Sequence, residues 1–335
     1  MSKKTKNALE IFVEGIGLYF SNFQKFLKYM FFPVLGQLLG LILIGITTWI
    51  YVENLPKLLT KYPNLNDYKY LILLSILVTL PGLVIFLKAF WEYLIAYGAI
   101  NSMYENMKKS GRVYDFTAHT ELIKRRTPAF IGLWFLIGIF SLIAVCPLFW
   151  VICGIFAVYF VLIFQVFTFE PDKSPLGCFK KSFVYIKGHF AGTFLLLALT
   201  GSLTYILIPQ IFVKMLSFVG FNKIISYPFI SIFQFVSDFD LAKYGIENTT
   251  AENLALMLVE LVVAQIIIQY TLPMRSIIWS LWYRENAQEK ISLSTSKKSK
   301  LKPSEKLMQA SKKKYSKKKI DSNILKRAME KDDEE

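Results

Sequence analysis

A chain of 335 residues that is 54% hydrophobic and 16% aromatic is too apolar to fold as one or two water-soluble domains. Two histidines and three cysteines offer little to metal or thiol chemistry, and no metal or cofactor is expected. Thirty-nine Lys and Arg against 24 Asp and Glu leave a net charge of +15, which points to anionic surroundings.

From the N-terminus, residues 1–28 read as a cytoplasmic amphipathic segment. Mostly uncharged blocks follow near 29–52, 69–100, 128–146, 148–169, 189–213 and 253–283. Each holds roughly the 20 residues that ~30 Å of hydrocarbon requires of a helix. The pattern predicts an all-α polytopic membrane protein. Six transmembrane helices form three hairpins in a domain over 29–285, with interfacial amphipathic helices and a disordered basic tail over 286–335. Cys146-Pro147 divides the block 128–169 into a tight helical hairpin, because proline lacks an N–H donor and pushes its predecessor out of helical geometry. The first block has no small-residue cleavage site after it and exceeds a signal-peptide core in length, so it is expected to stay in the mature protein.

Basic residues set the orientation. Segments 1–28, 101–127 and 170–188 carry fifteen Lys and Arg, whereas 53–69, the 146–147 corner and 214–252 carry six. By the positive-inside rule both termini are expected on the cytoplasmic side.

Three spans are entered alike: FQKFLKYMFFPVLGQLLGL at 23–41, ELIKRRTPAFIGLWFLIGI at 121–139, and FKKSFVYIKGHFAGTFLLLAL at 179–199. Basic and apolar residues interleave before a run with glycine a turn or two inside. Lys25 and Lys28, then Lys124, Arg125 and Arg126, then Lys180, Lys181 and Lys187 are the candidate contacts to anionic lipid. On the third ramp a short helix is expected to turn its lysines toward phosphates and Phe179, Phe183 and Tyr185 toward acyl chains. Gly188 permits the turn into the fifth span.

The piece SPLGCFKKSFVYIKGHFAGTFLLLAL resembles a recurring element of uncharacterised bacterial six-span integral membrane proteins, which are similar to the membrane domain of glycerophosphodiester phosphodiesterases. The resemblance covers roughly residues 7–285. It implies a compact helical domain in a bacterial cytoplasmic membrane, without the soluble phosphodiesterase domain.

The chain has no HExxH, GxSxG, GxxxxGK[ST] or CxxC pattern, and catalytic residues are expected to be absent. His119 reads as a surface histidine. His189 reads as an interfacial ring, with a proton or phosphate role as the alternative. Cys146, Cys153 and Cys178 read as apolar packing. Helical cysteines seven apart are too distant for a disulfide unless the corner at 146–147 bends them together.

Lys88, Glu92, Glu260, Gln265, Gln269 and Arg275 make a candidate intramembrane polar network, since such groups are costly in hydrocarbon and face protein or water. Lys88 and Glu92, four apart, can pair. Gln265 and Gln269 share a face, while Glu260 aligns with Arg275. Two readings stay open. In one, Lys88, Glu92 and Arg275 snorkel or pair near the cytoplasmic end and the glutamines glue helices together. In the other, Glu260, Gln265 and Gln269 line a polar path or substrate pocket. Pro81 and Pro273, well inside the second and sixth spans, permit kinks. Gly36-xxx-Gly40 and Gly188-xxx-Gly192 permit close helix approach.

The outer segment 214–252 is apolar and aromatic, which predicts one or two helices in the outer interface, as a lid or an anchor. From Ile291 the tail holds 14 basic and 7 acidic residues, too polar for a core, with short surface helices expected around Glu305–Ala310 and Ile320–Lys331. The expected function is a non-enzymatic role in envelope organisation or membrane assembly, with residues 291–335 contacting anionic lipid, a ribosome or RNA. The alternative is a transporter or channel for a small or lipidic substrate, using Glu260, Gln265 and Gln269.

Overall fold

Every backbone N–H and C=O that enters hydrocarbon needs a partner, and a helix supplies one from within its own segment. A computed structural model describes residues 6–111, 113, 116–237 and 250–300, and among them all regular structure is helical, with no strands. The chain divides into two units, Met1–Arg284 and Glu285–Glu335. The described part of the second unit is helical to Lys300. The surface helices expected around 305–310 and 320–331 lie outside the described residues.

In the first unit, α1 (Ala8–Ser21) opens with a capping box. The Asn7 side chain accepts from the Glu10 N–H, and the Glu10 carboxylate accepts from the Asn7 N–H. Ala8, Ile11, Gly15 and Tyr19 form its buried face. The chain breaks at Asn22, whose amide donates to Leu18 O and Gly111 O and whose Oδ1 accepts from Val113 N. The side chain therefore ties the end of α1 to the 111–113 segment.

α2 (Phe23–Lys61) then runs unbroken, so the first basic stretch is the start of a span and not a separate ramp. α3 (Tyr68–Ser110) returns beside it. At 1.5 Å per residue their 39 and 43 residues reach about 58 and 64 Å, roughly twice the hydrocarbon thickness, so both project beyond it. Glycines bring the two backbones together: a Cβ on Gly40 would lie 2.6 Å from Phe86 N, and one on Gly82 2.7 Å from Ile44 N.

α4 (Phe116–Lys124) meets α5 (Thr127–Ile143) at 75°, a ramp lying across its span. α6 (Trp150–Phe160) and α7 (Ile163–Phe169) bring the chain back. The α5/α6 hairpin is not tight. Phe140 meets Phe156 and Phe160 at ring-centroid distances of 6.3 and 5.5 Å, and these rings hold the arms apart around an open cavity of about 530 Å³. α8 (Pro175–Ile186) is the third ramp, and Gly188, with φ 96°, turns it into α9 (Phe190–Gly201). Gly188 and Gly192 are therefore not a helical pair, and Gly192 alone packs, against the Trp282 ring.

A π-helical turn, Ser202–Leu207, leads into α10 (Ile208–Phe218). Gly220, with φ 74°, reverses the chain into α11 (Phe221–Ser237), which packs along α12 (Ala251–Tyr270). The outer segment is thus helical where described, and 238–249 lie outside the described residues. α13 (Leu272–Lys300) follows a break at Thr271.

Five helical stretches are long and apolar enough to cross a membrane, and the bent α4/α5 pair makes six. The chain is a multi-pass membrane protein. Phe26, Met30, Met103, Tyr104, Phe130 and Phe167 are fully buried where α2 begins and α3 ends. At the corner between α5 and α6, by contrast, Leu142, Val145, Leu148 and Val151 are 71–81% exposed, a surface suited to lipid.

Candidate functional site

Two hydrogen bonds across the last spans serve as a ruler. Trp282 Nε1 donates to Thr193 Oγ1 at 2.9 Å, and Ser217 Oγ donates to Glu260 Oε1 at 2.9 Å. Between these rungs lie 22 residues of α12–α13 and 24 of α9–α10, or ~33–36 Å, close to the hydrocarbon thickness. Glu260 and Trp282 are therefore separated along the helices by about one hydrocarbon thickness. Gln269 is ~20 Å from the Trp282 level and Arg275 ~10 Å from it.

The six candidate polar residues do not form one network. Glu92 faces Lys124 across 3.8 Å, while Lys88 is exposed with its Nζ 5.7 Å from the Phe32 ring centroid, so the Lys88–Glu92 pair is not made. Tertiary packing brings Lys124 to the carboxylate in place of the residue one turn away. Glu260 belongs to a cluster at the α10–α11 corner, where Asn222 Nδ2 donates to Ser217 Oγ at 2.7 Å and to Val213 O at 3.2 Å. Gln265 is exposed. Gln269 Oε1 accepts from Gln37 Nε2 at 3.3 Å, a bond joining α12 to α2.

Arg275 is different. It is 7% exposed, in the first turn of α13, and neither snorkels nor pairs with an acid. Among the described residues no carboxylate lies within ion-pairing distance of it. One guanidinium nitrogen donates to Thr271 Oγ1 at 3.0 Å. The Tyr205 ring covers the guanidinium, its centroid 4.5 Å away. On α1, outside the spans, burial pushes the Tyr19 phenol up to about 12, and Arg275 pulls it partway back. Tyr205 sits in the π-helical turn and is itself 54% exposed, one face on the arginine and the rest outward. Tyr205 comes from the α9–α10 junction, so no spacing within α12 and α13 signals this contact. Only the proline at 273 hinted at an irregularity here.

Several basic residues expected at lipid headgroups are engaged by protein. Lys25 Nζ donates to Val113 O at 2.9 Å. Arg126 donates to Phe167 O and to Lys173 O, with its guanidinium 3.9 Å from the Phe167 ring centroid. Arg125 lies 3.5 Å from Glu121. Lys28, Lys180 and Lys187 are exposed, and Lys181 lies over the Tyr185 ring. On α8, Phe179 and Tyr185 point into the protein and not toward acyl chains, because they share a face with Cys178, Ser182 and Ile186 that packs on α5, α6 and α7. The Tyr185 hydroxyl donates to Glu170 Oε1 at 2.7 Å, and that of Tyr283 to the same oxygen at 3.0 Å. Burial first, then this bond, pushes the Tyr185 phenol well above its usual range.

His119 is half-buried, its Nδ1 2.6 Å from Ser102 Oγ, and is not a surface histidine. His189 precedes α9 and meets the Trp282 ring edge-on. All three cysteines are free thiols. No family model, curated protein or solved structure matches the chain.

Proposed function

We propose that this membrane protein is non-enzymatic and binds an anionic group within the bilayer at Arg275. The observation that carries this reading is a buried guanidinium that has a threonine hydroxyl and the Tyr205 ring for partners and no carboxylate beside it among the described residues. An unpaired charge at hydrocarbon depth costs several kcal/mol. The Thr271 hydroxyl and the Tyr205 ring face offset part of that cost, yet both are neutral. A phosphate or carboxylate would cancel the charge, and the planar guanidinium fork matches either one.

Glu260, Gln265 and Gln269 are set aside as a substrate path, because Glu260 ties the α10–α11 corner and Gln269 ties α12 to α2. With both termini cytoplasmic, the Trp282 level is the inner headgroup level, and Arg275 lies in the inner half of the hydrocarbon. A role in membrane organisation follows from holding an anion there.

The test is native mass spectrometry of the full chain released from micelles containing equal phosphatidylglycerol and phosphatidylcholine. Wild-type protein is expected to retain one phosphatidylglycerol in excess of the mixture. Arg275→Gln should lose that excess and Arg275→Lys should keep part of it. A folded Arg275→Gln protein with the wild-type excess would overturn the reading.

A further inference from the structure

We infer that the cavity between α5 and α6 holds one acyl chain of a bilayer lipid and takes it by the chain, not by the headgroup. The inference does not depend on the anion-binding reading of Arg275.

The cavity has a volume of about 530 Å³, within the roughly 300–1,000 Å³ of small-molecule sites. It lies between residues 137–143 of α5 and 152–160 of α6, stretches of ~9 and ~12 Å. Phe179 of α8, 7% exposed, stands between the arms, its ring centroid 5.5 Å from that of Phe140 and 5.0 Å from that of Phe160. This wedge keeps the arms from closing on the gap. Tyr97 and Phe164, edge-on at 4.5 Å, wall it off toward α3 and α7. At the corner, Trp150 Nε1 donates to Ala144 O at 2.9 Å and ties the two arms together. One side stays open, rimmed by Ile143, Ile152 and Phe156, which are 42–48% exposed.

The walls decide the occupant. No charged side chain lines the cavity, and the Ser141 hydroxyl is committed to Ile137 O at 3.0 Å. An ionic ligand would find no counter-charge, and apolar cavities do not hold water. Left empty, the lining rings would forfeit their dispersion contacts on one side. Both arms belong to stretches apolar enough to cross a membrane, so the open side faces hydrocarbon. The molecules with free access there are lipid chains. Ile76 and Leu77 of α3, 55% and 61% exposed, also meet lipid, but from one side only. The slot surrounds a chain with wall on the remaining sides, and the added contact favours occupancy there over the open surface.

Two glycines provide the test. A Cβ on Gly154 or on Gly138 meets nothing within 4 Å, yet only Gly154 lines the cavity. Gly154→Phe therefore fills the slot without displacing packed atoms, and Gly138→Phe is its control. The full chain in phosphatidylcholine nanodiscs would be irradiated with a phosphatidylcholine carrying a diazirine in one acyl chain. Mass spectrometry of the digest then gives the label on residues 152–160 relative to residues 72–84 of the same molecules. The ratio is expected to be about tenfold in the wild type and in Gly138→Phe, and near one in Gly154→Phe. A phosphatidylglycerol carrying the same chain should give the same ratio. A wild-type ratio near one would make the lipid at the slot ordinary boundary lipid and overturn the inference, as would an unchanged ratio in Gly154→Phe. A ratio that differed between the two headgroups would overturn recognition by the chain alone. A non-lipid apolar molecule retained in stoichiometric amount through purification, seen by native mass spectrometry, would overturn the choice of occupant.

Discussion

The Tyr19 hydroxyl donates to the backbone carbonyl of Tyr270 at 3.1 Å, across 251 positions of chain. That carbonyl lies at the break between α12 and α13. One turn earlier on the same face of α1, a Cβ on Gly15 would sit 2.4 Å from Ile278 Cγ1. The N-terminal helix is thus docked on the segment that carries Arg275. Tyr19→Phe is expected to cost about 1 kcal/mol and Gly15→Ala about 1–3 kcal/mol through overpacking. Unfolding of the full chain by titration with SDS measures both. The sign at Gly15 is diagnostic, since helix propensity alone would make alanine stabilising by about 1 kcal/mol.

A paired comparison tests the α2–α3 contact. Gly40 cannot accept a Cβ without meeting the Phe86 backbone, whereas a Cβ on Gly45 meets nothing within 4 Å. Gly40→Ala should therefore destabilise by about 1–3 kcal/mol and Gly45→Ala should be neutral or stabilising by up to about 1 kcal/mol. Equal effects in the same SDS titration would show that the two helices do not approach as closely as Gly40 and Gly82 imply.

The spans were legible because hydrocarbon thickness fixes the length of an apolar block, and the turn at Gly188 because a positive φ suits glycine. Arg275 was legible as an expense at membrane depth, but its surroundings were not. A tyrosine within or near a span reads as an interfacial ring, and only packing brings Tyr205 over the guanidinium. The same limit explains Lys25 and Arg126. Their charge suits a headgroup, and nothing local reveals that Val113 O and Phe167 O lie within reach. The gap between α5 and α6 was hidden too, because a run of large apolar residues is compatible with interdigitated or separated arms.

The basic tail makes a salt-dependent prediction. From Ile291 it holds 14 basic and 7 acidic residues, each basic one worth about 1 kcal/mol beside an anionic leaflet, falling off over a Debye length of roughly 8–10 Å. Full-length protein in zwitterionic nanodiscs is expected to cosediment with phosphatidylglycerol vesicles at low salt and to release them at about 0.5 M salt. Protein lacking residues 291–335 should not cosediment under either condition. A parallel assay with ribosomes distinguishes a lipid partner from an RNA-bearing one. Equal sedimentation of the two forms in both assays would remove the tail from the account.

Cys178 supplies a prediction on pH. It is 0% exposed on the inner face of α8, and burial pushes its thiol up to about 11, with Arg126 pulling it partway back. At pH 8 about a thousandth of such a thiol is thiolate, against roughly a tenth for one at its ordinary value near 9. Iodoacetamide at pH 8 should therefore modify Cys178 in the folded protein at least tenfold more slowly than in SDS, as read by peptide mass spectrometry. Because the fold favours the neutral thiol, the sign of the linkage is fixed. Between pH 9 and 11 the unfolded chain loses this proton and the folded chain keeps it, so the site's contribution to stability falls as pH rises through that window and is constant below it. A Cys178→Ala variant should flatten that part of the stability profile. Rapid modification of Cys178 at pH 8 in the folded protein would show instead that α8 does not hold its inner face against α5 and α7.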